Sequence, residues 1–291
     1  MTLSALILLA LKLSIALQVF SLGLKSEPGD LLYLPRRPGL LARSLTSMIL
    51  IMPLFAAALV LMFALRPPVE IMLVAAALAP VPPMLPGKAI KSGGHRAYAV
   101  SLMATAALVA IASIPIMLAI LQAVFHTPLQ MSPLAVFSVM FMTVLLPLGA
   151  GVAVRAFFPQ LAERFAQPLL AIATAMLAVG VIAILVVSAR AILAQIGDGT
   201  LAALSAFVLV GLGVGHLLGG PSSSDRTVLS LSTASRHPGM AAAIATANFP
   251  EEKAAFAVLL LYALVGAVLS TLYLRWRKAH DAAPFPRARA H

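Results

Sequence analysis

Residues 69–90 read VEIMLVAAALAPVPPMLPGKAI, an apolar stretch of membrane-spanning length cut by Pro80, Pro82, Pro83 and Pro86. Prolines at this density strip amide donors from consecutive turns, and no helix runs through them. Unwound backbone at membrane depth is tolerated only where it lines a cavity or is buried in protein. A second stretch, VLSLSTASRHPGMAAAIATANF at 228–249, is cut in a corresponding way. There Pro238 pushes His237 out of the helical region, and Gly239 follows. Both second halves start on Pro-Gly, Pro86-Gly87 and Pro238-Gly239, as suits a residue whose missing N–H is orphaned at a first helical position anyway. The breaks are therefore read at Pro82, Pro83, Pro86 and Gly87, and at Pro238 and Gly239.

Around these stretches the chain is 62% hydrophobic and 10% charged over 291 residues, the composition of a polytopic membrane protein. With about 20 apolar residues per crossing, spans are expected at 3–24, 44–65, 69–94 (interrupted), 97–124, 133–154, 168–189, 201–219, 226–249 (interrupted) and 254–274. The fold class is all-α with about nine transmembrane helices. The first span carries Lys12 and has neither a basic leader nor a cleavage pattern, so it is expected to be a retained helix. Interrupted spans in corresponding positions, five apart and facing opposite ways, are expected of an inverted-repeat secondary transporter with its site at the midplane between half-helix ends. The alternative is simple proline kinking, the reading given to Pro53, Pro115 and Pro147.

Charge orients the chain. The odd-numbered loops and the C-terminus hold 14 of the 20 basic residues, and the even loops hold Arg66, Arg190 and Lys253. By the positive-inside rule the N-terminus is outside and the C-terminus is in the cytoplasm, here across a bacterial inner membrane. The net charge of +11 then reflects topology and anionic headgroups, and no nucleic-acid partner is expected. With no cysteine and six scattered histidines, no metal site or other cofactor is expected. No nucleophile, base and orienter converge, so the chain is not expected to be an enzyme.

The remaining cations, Lys12, Lys88 and Arg236, lie inside spans, and none of the nine acidic residues falls in the interior of a span. An intramembrane cation costs roughly 2.5 to 3.5 kcal/mol on the lenient insertion scale. Three without a carboxylate point to an anionic partner that comes and goes, a small organic anion.

At these residues the chain resembles the bile acid:sodium symporter family over nearly its whole length. The likeness lies in Pro80 followed 15 residues later by the helix start at His95, in VLLPLGAG at 144–151, in GVGHLLG at 213–219 and in RHPGMAAA at 236–243. The resemblance implies a divergent bacterial member lacking the first helix of a ten-helix fold with two crossed broken helices. It implies one membrane domain over 1–291, with a core at 44–124 and 201–274, a panel at 3–24 and 133–189, and a basic cytoplasmic tail at 275–291. The substrate cavity is expected between core and panel.

The family's sodium ligands are largely replaced. By the matched motifs its Glu falls on Ser232, its Gln on Arg236, its Asn on His237, its Ser-Asn pair on Leu85 and Pro86, and an earlier Gln near Met48. Ser101 and Thr105 remain, four residues apart and on one helical face. Sodium coupling is therefore disfavoured, and a proton is the alternative. Lys88 and Arg236, read as sitting at the starts of the second half-helices where the macrodipole is already positive, are expected to do the work of sodium. Arg236 would hold a carboxylate or sulfonate through its fork, and Lys88 could release a proton. The substrate-binding candidates are Lys88, Arg236, His237, Lys12, Ser232, Thr233 and Ser235, and the coupling candidates are Lys88, Ser101, Thr105 and His237; Gln18 is expected to wet the cavity.

The structural alternatives stay open. Lys88 snorkels to a wet vestibule, Arg236 caps carbonyls, Lys12 reaches the outer surface, the histidines brace neighbouring helices, and the Ser/Thr row bonds to its own helix. Two other functions stay open with them: a symporter with one reduced sodium site at Ser101 and Thr105, and a membrane sensor or partner subunit that binds an anion without moving it.

Overall fold

The computed structural model describes residues 3–281. Its helices longer than one turn are α1 (Leu3–Leu24), α2 (Pro38–Met62), α3 (Pro67–Leu78), α4 (Leu85–Lys91), α5 (Arg96–Phe125), α6 (Pro133–Phe157), α7 (Pro159–Leu193), α8 (Thr200–Leu218), α9 (Ser223–Ala234), α10 (Pro238–Asn248) and α11 (Ala254–Asp281). Among the described residues there is no strand. Seven helices, α1, α2, α5 to α8 and α11, are long and apolar enough to cross a membrane. The half-helix pairs α3–α4 and α9–α10 fall within the two interrupted spans expected from hydropathy. Of the expected basic tail, residues 275–281 continue α11 as helix. Arg287 and Arg289 lie outside the described residues.

Proline shapes the uninterrupted helices as well. Pro53 and Pro147 each follow a widened, π-helical stretch, Thr46–Ile51 in α2 and Phe141–Leu145 in α6, and each opens the regular helix beyond it. A proline has no N–H for the turn before it, so the carbonyls there must find partners elsewhere. Pro115, by contrast, sits inside an unbroken α5.

Close helix contacts are made through glycine. A Cβ built on Gly23 of α1 would lie 2.6 Å from the Leu148 carbonyl and 2.9 Å from Gly151 Cα of α6, so these backbones touch and nothing larger fits. Gly211 and Gly215 of α8 and its C-cap Gly219 recur every fourth residue and seat α9 at Ala234, Ser230 and Arg226. Such small-residue spacing lets membrane helices pack backbone to backbone, where lipid provides no hydrophobic drive for association. Gly213, the neighbour in the expected GVGHLLG motif, faces open space.

Candidate functional site

The two breaks meet. The amide of His237 donates to the carbonyl of Pro80 at 2.8 Å, joining the end of α9 to the unwound segment after α3. The prolines at 80, 82 and 83 contribute acceptors and no donors there, and the second break supplies what is missing. Arg236 Nη1 donates to the Ala79 carbonyl at 3.3 Å and to the Met48 carbonyl, in the widened turn of α2, at 3.4 Å. His237 fills every polar position it has. Its Nδ1 accepts from the Met240 amide at 3.1 Å and caps α10. The ring proton is therefore on Nε2, which lies 3.1 Å from Thr143 Oγ1 in the widened turn of α6. Thr143 in turn donates to the Val139 carbonyl at 2.6 Å. His237 thus braces three elements.

Arg236 is only 3% exposed, and its Nε and Nη2 are buried without a partner among the described residues. The fork expected to grip a substrate is closed off in this conformation. The guanidinium caps carbonyls as one of the alternatives held, but those of α2 and α3 and not those of the preceding half-helix. The helix of Lys88 begins at Leu85 and ends at Lys91, so Lys88, the fourth of its seven residues, is as near its start as its end, and Lys91 closes its last turn.

Beside the crossing lies a cavity of about 520 Å³. One wall comes from α1 and α7 with Gln18, Leu170 and Thr174; the other comes from α4, the second break and α11 with Lys88, Lys91, Ser235, Arg236 and Tyr262. No carboxylate lines it. Lys88 is half-buried, and its ammonium makes no hydrogen bond or ion pair with the described residues. Tyr262 donates to the Ala234 carbonyl at 2.6 Å and closes the end of α9. A larger cavity of about 710 Å³ opens at the other ends of α3, α5 and α10, with Glu70, Glu251 and Glu252 and no basic residue in its lining. It does not reach the crossing.

The other expected residues are scattered. Ser232 and Thr233 are buried and line no part of the 520 Å³ cavity, because α9 is packed on all sides from Thr227 to Ala234. Thr233 Oγ1 meets Ser47 Oγ at 3.1 Å, and Ser230 Oγ meets Tyr273 OH at 2.8 Å. Ser101 donates to the Leu31 carbonyl and accepts from the Leu34 amide, both at 2.9 Å, so it staples the α1–α2 loop to α5. Thr105, one turn on, borders neither cavity. Lys12 is exposed on α1 and does not line the site. Lys91 and Tyr262 were missed in the sequence. Lys91 was findable as the i+3 neighbour of Lys88 on one helical face.

No curated protein matches this chain. Residues 12–195, from α1 through the end of α7 and including the first break, match the family model described as Sodium Bile acid symporter family. With well over half of the chain matched, and with seven helices among the described residues long and apolar enough to cross a membrane, the chain belongs to the sodium bile acid symporter family, a family of membrane transporters.

Proposed function

We propose that the protein is a secondary active transporter of a small organic anion. It works by alternating access of a panel (α1, α6, α7) against a core (α2 to α5 and α8 to α11). The observation that carries this reading is Lys88, a half-buried ammonium without a partner in an apolar-walled cavity that contains no carboxylate. A desolvated cation with no counterion is costly, and a bound anion removes that cost. The cavity has the size of a small-molecule site and lies between the two proposed bodies.

Arg236 serves in this reading as a fixed cation. The Met48 and Ala79 carbonyls, which would suit a metal cation, turn to its guanidinium instead. Transport is therefore independent of sodium, and Lys88 is the group we assign to proton coupling. The reduced sodium site draws no support from Ser101, whose hydroxyl is engaged with the loop backbone. In this reading, supported by the split of basic residues, the N-terminus is outside a bacterial inner membrane and the C-terminus is in the cytoplasm. The cavity, bounded by α4 and its Lys91, then opens toward the cytoplasm.

Uptake of organic anions into liposomes containing the purified protein tests the proposal. Uptake should persist when sodium is exchanged for choline, and should follow an imposed proton gradient and collapse with an uncoupler. Saturable dependence on sodium would overturn the fixed-cation reading. Binding without uptake under any gradient would make the protein a sensor.

A further inference from the structure

We infer that the ligand of the 520 Å³ cavity is an organic dianion, held by Lys88 and Lys91 as a pair; this rests on the reading that the cavity takes an anion. The two lysines stand three residues apart on α4. That spacing puts their Cβ atoms about 5–6 Å apart on one face of a helix. Both line the cavity, and neither has a hydrogen-bond or ion-pair partner among the described residues. They differ in depth: Lys91 is exposed and Lys88 half-buried. Behind them Arg236 borders the cavity, with its Nη1 on two backbone carbonyls and its other donors sealed. The guanidinium therefore adds to the positive potential without offering a free edge, and the charges a ligand can reach are the two ammoniums.

A monoanion would satisfy one of these and leave the other facing a cation of like sign across the site. Two negative groups on a short chain pair both at once. The neutral donors and acceptors of the lining, Gln18, Ser92 and Thr174, suit the polar groups of such a chain. Lys25, which bonds to Gln167 and lies outside the lining, is close enough to Lys91 for the two charges to interact. Its pKa is lowered, first by desolvation and then by the nearby charge of Lys91. The chemical class implied is a dicarboxylate, or a short acid carrying a carboxylate and a second anionic group.

The test compares matched probes on the full-length protein in nanodiscs, glutarate against pentanoate and adipate against hexanoate, by calorimetric titration at low salt. The dicarboxylate of each pair should bind at least ten-fold more tightly, and the ratio should shrink as salt rises, because Lys91 is open to solvent. Lys91→Gln should bring dicarboxylate affinity down to that of the matched monocarboxylate, and Lys91→Arg should restore it. Lys278→Gln, on the exposed end of α11, should change neither. Equal affinity for both members of each pair would overturn the dianion inference and leave the anion reading standing. Failure of every probe to bind correctly folded protein would overturn both.

Discussion

The two broken helices are interrupted by opposite chemistry. The first break, Ala79 to Met84, is built from prolines and offers carbonyls with few donors. The second, Ser235 to His237, carries an arginine and a histidine and offers donors to those carbonyls. The halves beyond the breaks differ as well: α4 has seven residues and presents two unpaired lysines to the cavity, whereas α10 has eleven and shows it little beyond Pro238. The difference teaches a division of labour, in which the second broken helix holds the crossing together and the first supplies the charges a ligand meets. A charged residue at the crossing and a charged residue in the cavity should therefore respond to mutation in different ways.

The largest effect is expected at the cavity. Lys88→Met should weaken anion binding by roughly 2 to 5 kcal/mol, the usual cost of breaking a buried charge pair. Unfolding of the ligand-free protein should stay where it is or move upward, since an uncompensated charge has been removed. A fall in ligand-free stability equal to the fall in affinity would erase the division. Arg236→Gln should behave in the reverse manner. Loss of the donor to two buried carbonyls should lower ligand-free stability by about 1 to 3 kcal/mol, measured by thermal unfolding in detergent. If stability holds while binding disappears, Arg236 belongs with Lys88 and grips the ligand in another conformation.

A smaller effect sharpens how the second broken helix is seated. Gly215→Ala would bring a Cβ to within 2.6 Å of the Leu229 carbonyl and force α9 off α8. The expected cost is about 1 to 3 kcal/mol, as for other overpacked contacts. Gly213→Ala, two residues away in open space, should leave unfolding unchanged. Equal tolerance of both would mean that α9 is not held by this contact. The smallest effect is expected at the cap of α10. His237→Ala should cost about 1 kcal/mol. His237→Asn, which can still accept from the Met240 amide, should recover most of it. Recovery by Asn fails if the bond to Thr143 matters more than the cap.

The parts of the fold legible in the sequence depend on local chemistry. Hydropathy marked the seven uninterrupted spans because each needs about 20 apolar residues wherever it sits. The prolines at 80, 82, 83 and 238 marked both breaks because a missing amide cannot be restored by any neighbour. The site was less legible. Of the row Ser230, Ser232, Thr233 and Ser235, expected to wet the cavity, Ser235 borders it, while Ser230 and Thr233 turn to Tyr273 and Ser47 because α9 is surrounded. Ser101 reads as a surviving ion ligand and is a loop staple. Lys88 reads as lying at a helix start and is the middle residue of a seven-residue helix, because the length left to α4 depends on where the chain re-enters α5.

Read alone, then, the sequence was enough for the class, the uninterrupted spans, the location of both breaks and the excess of cations over carboxylates within the spans. All of these are sums or patterns over neighbouring residues. Tertiary structure alone decided which cation faces the cavity and which is sealed. Arg236 meets Met48 across 188 residues and Ala79 across 157. No local pattern carries that pairing, because it exists only once a break without donors and a break rich in them are folded against each other.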